Sequence, residues 1–175
     1  SIPQAFATAP LSRNTYVGSM LIENGASAVV TNHAGGTVKI GKVVTRDLTD
    51  NGVYNTQGTV VIGTVVYHGT DEPVVGQGDM SIGELYILKA GNSAVGMQNA
   101  TNIHIGHIFL GTNTGVNSIA KTSTGNTAGG RFYIGGVTGE FTGDTLWNFV
   151  NGTVDYLTIQ NVAVVYNYDS AESGS

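Results

Sequence analysis

The chain has 175 residues and 41% apolar content, enough for one domain with a buried core, yet only 11% of it is charged where about a quarter is usual. Net charge is −5, and the seven cations, Arg13, Lys39, Lys42, Arg46, Lys89, Lys121 and Arg131, form no basic stripe, which argues against nucleic acid as a partner. Cysteine is absent, so there is no disulfide framework and no thiol chemistry; no apolar run reaches about 18 residues, so no membrane insertion is expected.

Residues 1–16 hold two of the three prolines, Pro3 and Pro10, and little pattern. They read as an extended lead-in segment. From Val17 onward one phrase recurs: apolar, gap, apolar, Gly, gap, apolar, gap, apolar. Its clearest copy is Ile103-x-Ile105-Gly106-x-Ile108-x-Leu110. Val17-Gly18-Ser19-Met20-x-Ile22 is a weaker first copy. Val38-x-Ile40-Gly41-x-Val43, Val60-x-Ile62-Gly63-x-Val65-x-Tyr67, Met80-x-Ile82-Gly83-x-Leu85-x-Ile87 and Phe132-x-Ile134-Gly135-x-Val137 share it. In the last copy, Leu157-x-Ile159-Gln160-Asn161-Val162-x-Val164, Gln-Asn replaces Gly-x. Residues two apart share one face of a strand, and the glycine shifts that alternation by one. The phrase therefore predicts two short strands joined by a bend, with Gly, or Asn161 in the last copy, supplying a positive φ.

The glycines Gly18, Gly41, Gly63, Gly83, Gly106 and Gly135 are 23, 22, 20, 23 and 29 residues apart. A fixed period in this range marks a repeat architecture. Each repeat carries a second apolar element about 11 to 13 residues after its glycine: Ala28-Val29-Val30, Val53-Tyr54, Val74-Val75, Ala94-Val95, Ser118-Ile119-Ala120 and Leu146-Trp147-x-Phe149. Turn-rich stretches such as Thr122–Gly130 separate the elements. A unit of this size cannot bury its own apolar edge and must stack on its neighbours. The expected fold is all-β: a right-handed parallel β-helix, or solenoid, of about six to seven coils over residues 17–168, followed by a flexible tail at 169–175. Like residues then stack on like: Val38, Val60, Met80, Ile103, Phe132 and Leu157 in one wall, and Ile40, Ile62, Ile82, Ile105, Ile134 and Ile159 in another. The longest interval, from Gly106 to Gly135, predicts an extra polar loop at residues 111–130.

Outward positions after the glycine are Val44, Val66, Tyr86, Phe109, Thr138 and Ala163. A solvated sheet face would be polar there. An apolar stripe of this length marks an interface or a surface covered by another part of the chain.

Candidate chemistry is sparse. Glycan hydrolysis uses two carboxylates about 5 to 9.5 Å apart. Asp47 with Asp50, and Asp71 with Glu72, read as turn charges, and Asp79 and Glu84 flank a strand. Glu140 and Asp144, beside Phe141 and Trp147, are the first choice for a catalytic pair. His104 and His107 both face outward; a metal site would need a third ligand from Glu84, Tyr133 or Arg131, and the spacing demands none. A lyase would use His107 or Lys121 as base with Arg131 as neutraliser. Aromatic side chains in successive coils offer faces for sugar rings, so Tyr86, His104, His107, Phe109 and Tyr133 are the expected ligand-binding residues. Tyr54, Tyr67 and Trp147 are expected to be at least partly core. No motif calls for a cofactor or a metal.

Gly or Asn between two short strands resembles the tight turn of the pectate-lyase-like superfamily of right-handed parallel β-helices, over about residues 17–165. With few charges, abundant Thr, Ser, Asn and Gly, and no cysteine, the chain looks most like a segment of a bacteriophage tailspike or tail-fibre protein. That resemblance implies a homotrimer in a virion tail or another extracellular setting, with the outward stripe as the contact and bacterial surface polysaccharide as the ligand. The other readings are a polysaccharide lyase or glycoside hydrolase of the same fold, and a secreted monomeric β-helix adhesin. Beginning at Ser1 without a basic and apolar leader pattern, the sequence is expected to be a processed or excised piece of a longer protein.

Overall fold

The computed structural model describes residues 10–12, 15–23, 31–33, 36–55, 57–91, 93–97, 101–112, 114–116, 118–122, 130–139, 147–149 and 154–159. Among these there is no helix, and every strand pairing is parallel. The strands are β1 (Pro10–Ser12), β2 (Thr15–Glu23), β3 (Thr31–His33), β4 (Thr37–Arg46), β5 (Val53–Asn55), β6 (Thr59–His68), β7 (Val74–Gly76) and β8 (Asp79–Lys89). They continue as β9 (Ser93–Met97), β10 (Asn102–Leu110), β11 (Ser118–Thr122), β12 (Gly130–Ile134), β13 (Val137–Thr138), β14 (Trp147–Phe149) and β15 (Val154–Ile159).

The long sheet runs β2-β4-β6-β8-β10-β12-β15, with β13 beside β10; the short sheet runs β5-β7-β9-β11-β14. Successive strands of one sheet are one repeat apart in sequence, so the chain winds as a parallel β-solenoid. The two expected walls form in register. Val38, Val60, Met80, Ile103, Phe132 and Leu157 are successive partners. So are Ile40, Ile62, Ile82, Ile105, Ile134 and Ile159. A third wall of Val43, Val65, Leu85, Ile108 and Val137 lies beyond the glycines. All of these whose side chains are described are buried. Removing one such aliphatic side chain from water contributes about 1.5–3 kcal/mol.

The short sheet supplies the opposing wall. Val53, Val74, Val95 and Ala120 are register partners there and are buried. The expected second elements at 53–54, 74–75, 94–95 and 118–120 fall on its strands, as do residues 147–149 of the one expected at 146–149, Leu146 lying outside the described residues. Residues 28–30 lie outside the described residues, and the neighbouring β3 pairs with β1 instead of joining the short sheet.

Two expectations need correction. The solenoid has about four turns, in which β4 is followed by β5, β6 by β7, β8 by β9 and β10 by β11, and β12 with β14 adds a further pair beyond them. The six to seven expected from the glycines counted rungs of the long sheet, and a rung is not a closed turn. Second, the glycine is not a turn between two strands. Strands β4, β6, β8 and β10 run straight through it, and the only described glycines with positive φ are Gly58 and Gly139. What changes at the glycine is side-chain phase: in β4 the burial order is half-buried, buried, exposed, buried, exposed, exposed, buried, half-buried, buried, exposed. Two consecutive residues, Gly41 and Lys42, face outward together.

The glycine is required by the rung beneath it. A Cβ on Gly63 would lie 2.7 Å from the Gly41 carbonyl oxygen, one on Gly83 2.7 Å from that of Gly63, and one on Gly106 2.5 Å from that of Gly83. Gly41 over Gly18, and Gly135 over Gly106, make the same contact. The glycines thus stack as a ladder along the rod because the backbones approach too closely for a side chain.

The expected extra loop at 111–130 is partly regular. Its residues Ser118–Thr122 are β11, a normal strand of the short sheet. The turns joining the sheets are tied by side chains. Buried Tyr67 donates from its hydroxyl to the Asp50 carbonyl at 2.9 Å and accepts from the Asp71 N–H at 3.2 Å. Burial, opposed in part by the Asp71 N–H bond and reinforced by the smaller effect of the nearby Asp71, Asp50 and Glu72 charges, pushes its hydroxyl pKa up to about 12. Buried Asn55 donates to the Gly58 carbonyl at 3.2 Å and the Asp79 carbonyl at 2.8 Å, closing the next turn.

Candidate functional site

In a solenoid the outward residues of each strand also stack in columns. Ahead of the glycine the long sheet carries Tyr16, Lys39, Val61, Ser81, His104 and Tyr133. Just beyond it come Ser19, Lys42, Thr64, Glu84 and His107. The next outward column is Leu21, Val44, Val66, Tyr86, Phe109 and Thr138. The predicted apolar stripe is therefore a physical column, extended by Leu21. Its members from Leu21 to Phe109 are half-buried and Thr138 is exposed. Ala163 lies outside the described residues.

The five expected ligand-binding residues share this face on adjacent rungs. Tyr86 and Phe109 stack with ring centroids 4.5 Å apart and planes 9° apart. His104 and Tyr133 stack at 4.4 Å and 5°. His107 tilts against Phe109 at 4.4 Å and 36°, and its Nε2 lies 2.7 Å from Thr138 Oγ1. The Tyr86 hydroxyl donates to Glu84 Oε2 at 3.2 Å. The Tyr86 pKa is raised, first by desolvation and then by the Glu84 carboxylate.

This geometry changes how the rings can serve. Rings on successive rungs stand one above another and spend a face of each on its neighbour. They present edges, the Tyr86 hydroxyl, the Glu84 carboxylate and imidazole nitrogens to solvent, which suits hydrogen bonding to hydroxyls more than stacking. Sequence periodicity placed the residues on one face; their mutual stacking follows from the rung register.

The carboxylates are engaged locally. Asp50 Oδ1 accepts from the Asn51 N–H and Asp71 Oδ1 from the Glu72 N–H, both at 2.8 Å. Asp79 Oδ1 accepts from the Asn102 N–H at 2.9 Å. Asp47, in left-handed backbone at φ 49°, lies 3.1 Å from His68 Nδ1. Glu140 and Asp144 lie outside the described residues, as does the Lys121 side chain. His107 and Arg131 are not brought together: Arg131 pairs with Asn102, five residues along the strand from His107, or about 16 Å at 3.3 Å per residue. Among the described residues no group of three His, Asp or Glu side chains is placed to hold a metal. Tyr67 is core, as expected; Tyr54 is half-buried and accepts from Gln77 Nε2.

No protein-family model, curated protein or solved structure matches the chain.

Proposed function

We propose that the chain is a rigid recognition module of an extracellular fibre. In this reading it is a tailspike- or tail-fibre-like β-solenoid that associates as a homotrimer through its long-sheet face and contacts bacterial surface polysaccharide there. The observation that carries the reading is the outer face of the long sheet. A column of half-buried apolar side chains, Leu21, Val44, Val66, Tyr86 and Phe109, runs beside a cluster of edge-presenting rings and polar groups at Glu84, His104, His107 and Tyr133. Apolar columns of this kind favour association, and hydroxyl-rich ligands suit the hydroxyl, carboxylate and imidazole groups that stand beside it. The scarcity of formal charge fits a rod with a Thr-, Ser- and Asn-rich exterior.

Light scattering behind a sizing column tests the assembly. A stable mass near three times 18.1 kDa is expected; a monomer at all working concentrations overturns the trimer. Retention of unaltered bacterial O-antigen or capsular oligosaccharide tests the recognition, and failure to bind any such glycan overturns it.

A further inference from the structure

We propose that the N-terminal rungs of the long sheet form a separate subsite for a carboxylate-bearing polysaccharide, built from Tyr16, Lys39 and Lys42. This rests on the recognition reading above and names the glycan class. Read linearly, the seven cations are scattered. Folding places two of them side by side. Lys39 and Lys42 flank Gly41 on β4, and both are exposed. The phase shift at the glycine turns both outward: Lys39 is the last outward residue before it, and Lys42 the one immediately after. They stand roughly 10 Å apart along the strand.

No described carboxylate neutralises them. In the Lys39 column the neighbours are Tyr16 below and Val61 and Ser81 above. In the Lys42 column they are Ser19 below, then Thr64 and Glu84 above. Glu84 is two rungs away, about 9.6 Å, close to the distance over which salt screens exposed charges. A chain with net charge −5 thus carries a local positive patch on its outer face. Tyr16 completes it. Its side chain is 76% exposed, and its register partner is Lys39 and not another ring. Unlike Tyr86 and Tyr133, it offers an open ring face for a sugar. Two separated ammonium groups beside an open aromatic ring complement a glycan that alternates apolar ring faces with carboxylates.

The test measures binding of the full chain to hyaluronan and to polysialic acid, with dextran as the neutral glycan and inorganic polyphosphate as a polyanion without sugar rings or carboxylates. The acidic glycans should bind and dextran should not. Lys39→Gln with Lys42→Gln should weaken that binding on the order of tenfold, the sum of two exposed ion pairs, and remove its salt dependence. Tyr16→Ala should weaken it while leaving the salt dependence in place. Because all three residues are exposed, the variants should melt like the parent. Equal binding of dextran, equal binding of the polyphosphate, or an unaffected double lysine variant overturns the subsite. A neutral O-antigen that binds regardless of Lys39 and Lys42 overturns the subsite but leaves the recognition reading standing. If neither acidic nor neutral glycans bind, both fall.

Discussion

The glycine ladder gives a quantitative test of the architecture, because its first member is an internal control. Consider Gly83→Ala. The new Cβ would lie 2.7 Å from the Gly63 carbonyl oxygen, whereas ordinary contact begins near 3.4 Å. Rungs β6 and β8 must therefore part locally by about 0.7 Å, stretching the hydrogen bonds that hold them. Overpacking of this kind costs about 1–3 kcal/mol. The loss of unfolded-chain entropy offsets about 0.4–1 kcal/mol of that. At roughly 2–4 °C per kcal/mol for a chain of this size, Gly83→Ala should lower Tm by several degrees, and Gly63→Ala by a similar amount. Gly18 has the same place in its strand, but among the described residues nothing lies within 4 Å of its Cβ position. Gly18→Ala should therefore leave Tm unchanged or raise it by up to about 4 °C. Thermal unfolding followed by circular dichroism reads all three. A Gly83→Ala variant as stable as the parent, or a Gly18→Ala variant as damaged as Gly83→Ala, would refute the close-approach explanation.

Tyr67→Phe removes a hydroxyl that serves two partly buried backbone groups, and should cost about 1–3 kcal/mol in urea unfolding. The same residue sets an alkaline limit. Its folded pKa of about 12 lies above the ordinary 10, so its contribution is complete below pH 10 and lost as pH rises toward 12; Tyr67→Phe should flatten stability across that window. Glu84→Gln should lower the Tyr86 pKa without bringing it fully to the ordinary value, because desolvation is the larger cause; phenolate absorbance, differenced against Tyr86→Phe, measures this. If the apolar column is the trimer contact, Val66→Lys should yield a monomer by light scattering with Tm of the protomer nearly unchanged, as for other surface substitutions. An assembly unaffected by that change would place the contact elsewhere.

Much of the fold was legible because a solenoid repeats its instructions. A parallel stack in register turns a sequence period directly into a spatial column, so the Ile40–Ile159 wall could be named from spacing alone. The role of the glycine was not legible in the same way. A residue that breaks strand alternation reads as a turn with positive φ, and only the neighbouring rung reveals that the need is for absent volume. The turn count was overestimated for a related reason: the phrase marks the long sheet, and closure depends on short strands such as Val53–Asn55 whose partners lie a full repeat away. The candidate site divides similarly. Period two, shifted by one at the glycine, placed Tyr86, His104, His107, Phe109 and Tyr133 outward, but not their stacking; the same shift turns Lys39 and Lys42 outward together, and only the rung register reveals which residues neighbour them.

That phase shift is the step that links fold to surface. In an unbroken strand, residue 42 would face the core when residue 39 faces solvent. A lysine there would be expensive to bury, and Val43 would be wasted on solvent. Placing a glycine at 41 admits one extra outward residue, returns Val43 to the core, and does so at the same height on each rung from β4 to β10. The ladder consequently runs along the outer face between two sets of outward columns. One carries Tyr16, Lys39, Val61, Ser81, His104 and Tyr133; the other carries Leu21, Val44, Val66, Tyr86, Phe109 and Thr138, with Ser19, Lys42, Thr64, Glu84 and His107 on the glycine side of it. Because each rung can change its outward residues without disturbing the inward walls, the long sheet can keep one core and still grade its surface from cationic at β4, through apolar at β6, to carboxylate, imidazole and aromatic at β8 and β10. A face graded along the rod in this way fits an extended polymer lying across several rungs better than a small molecule held at one.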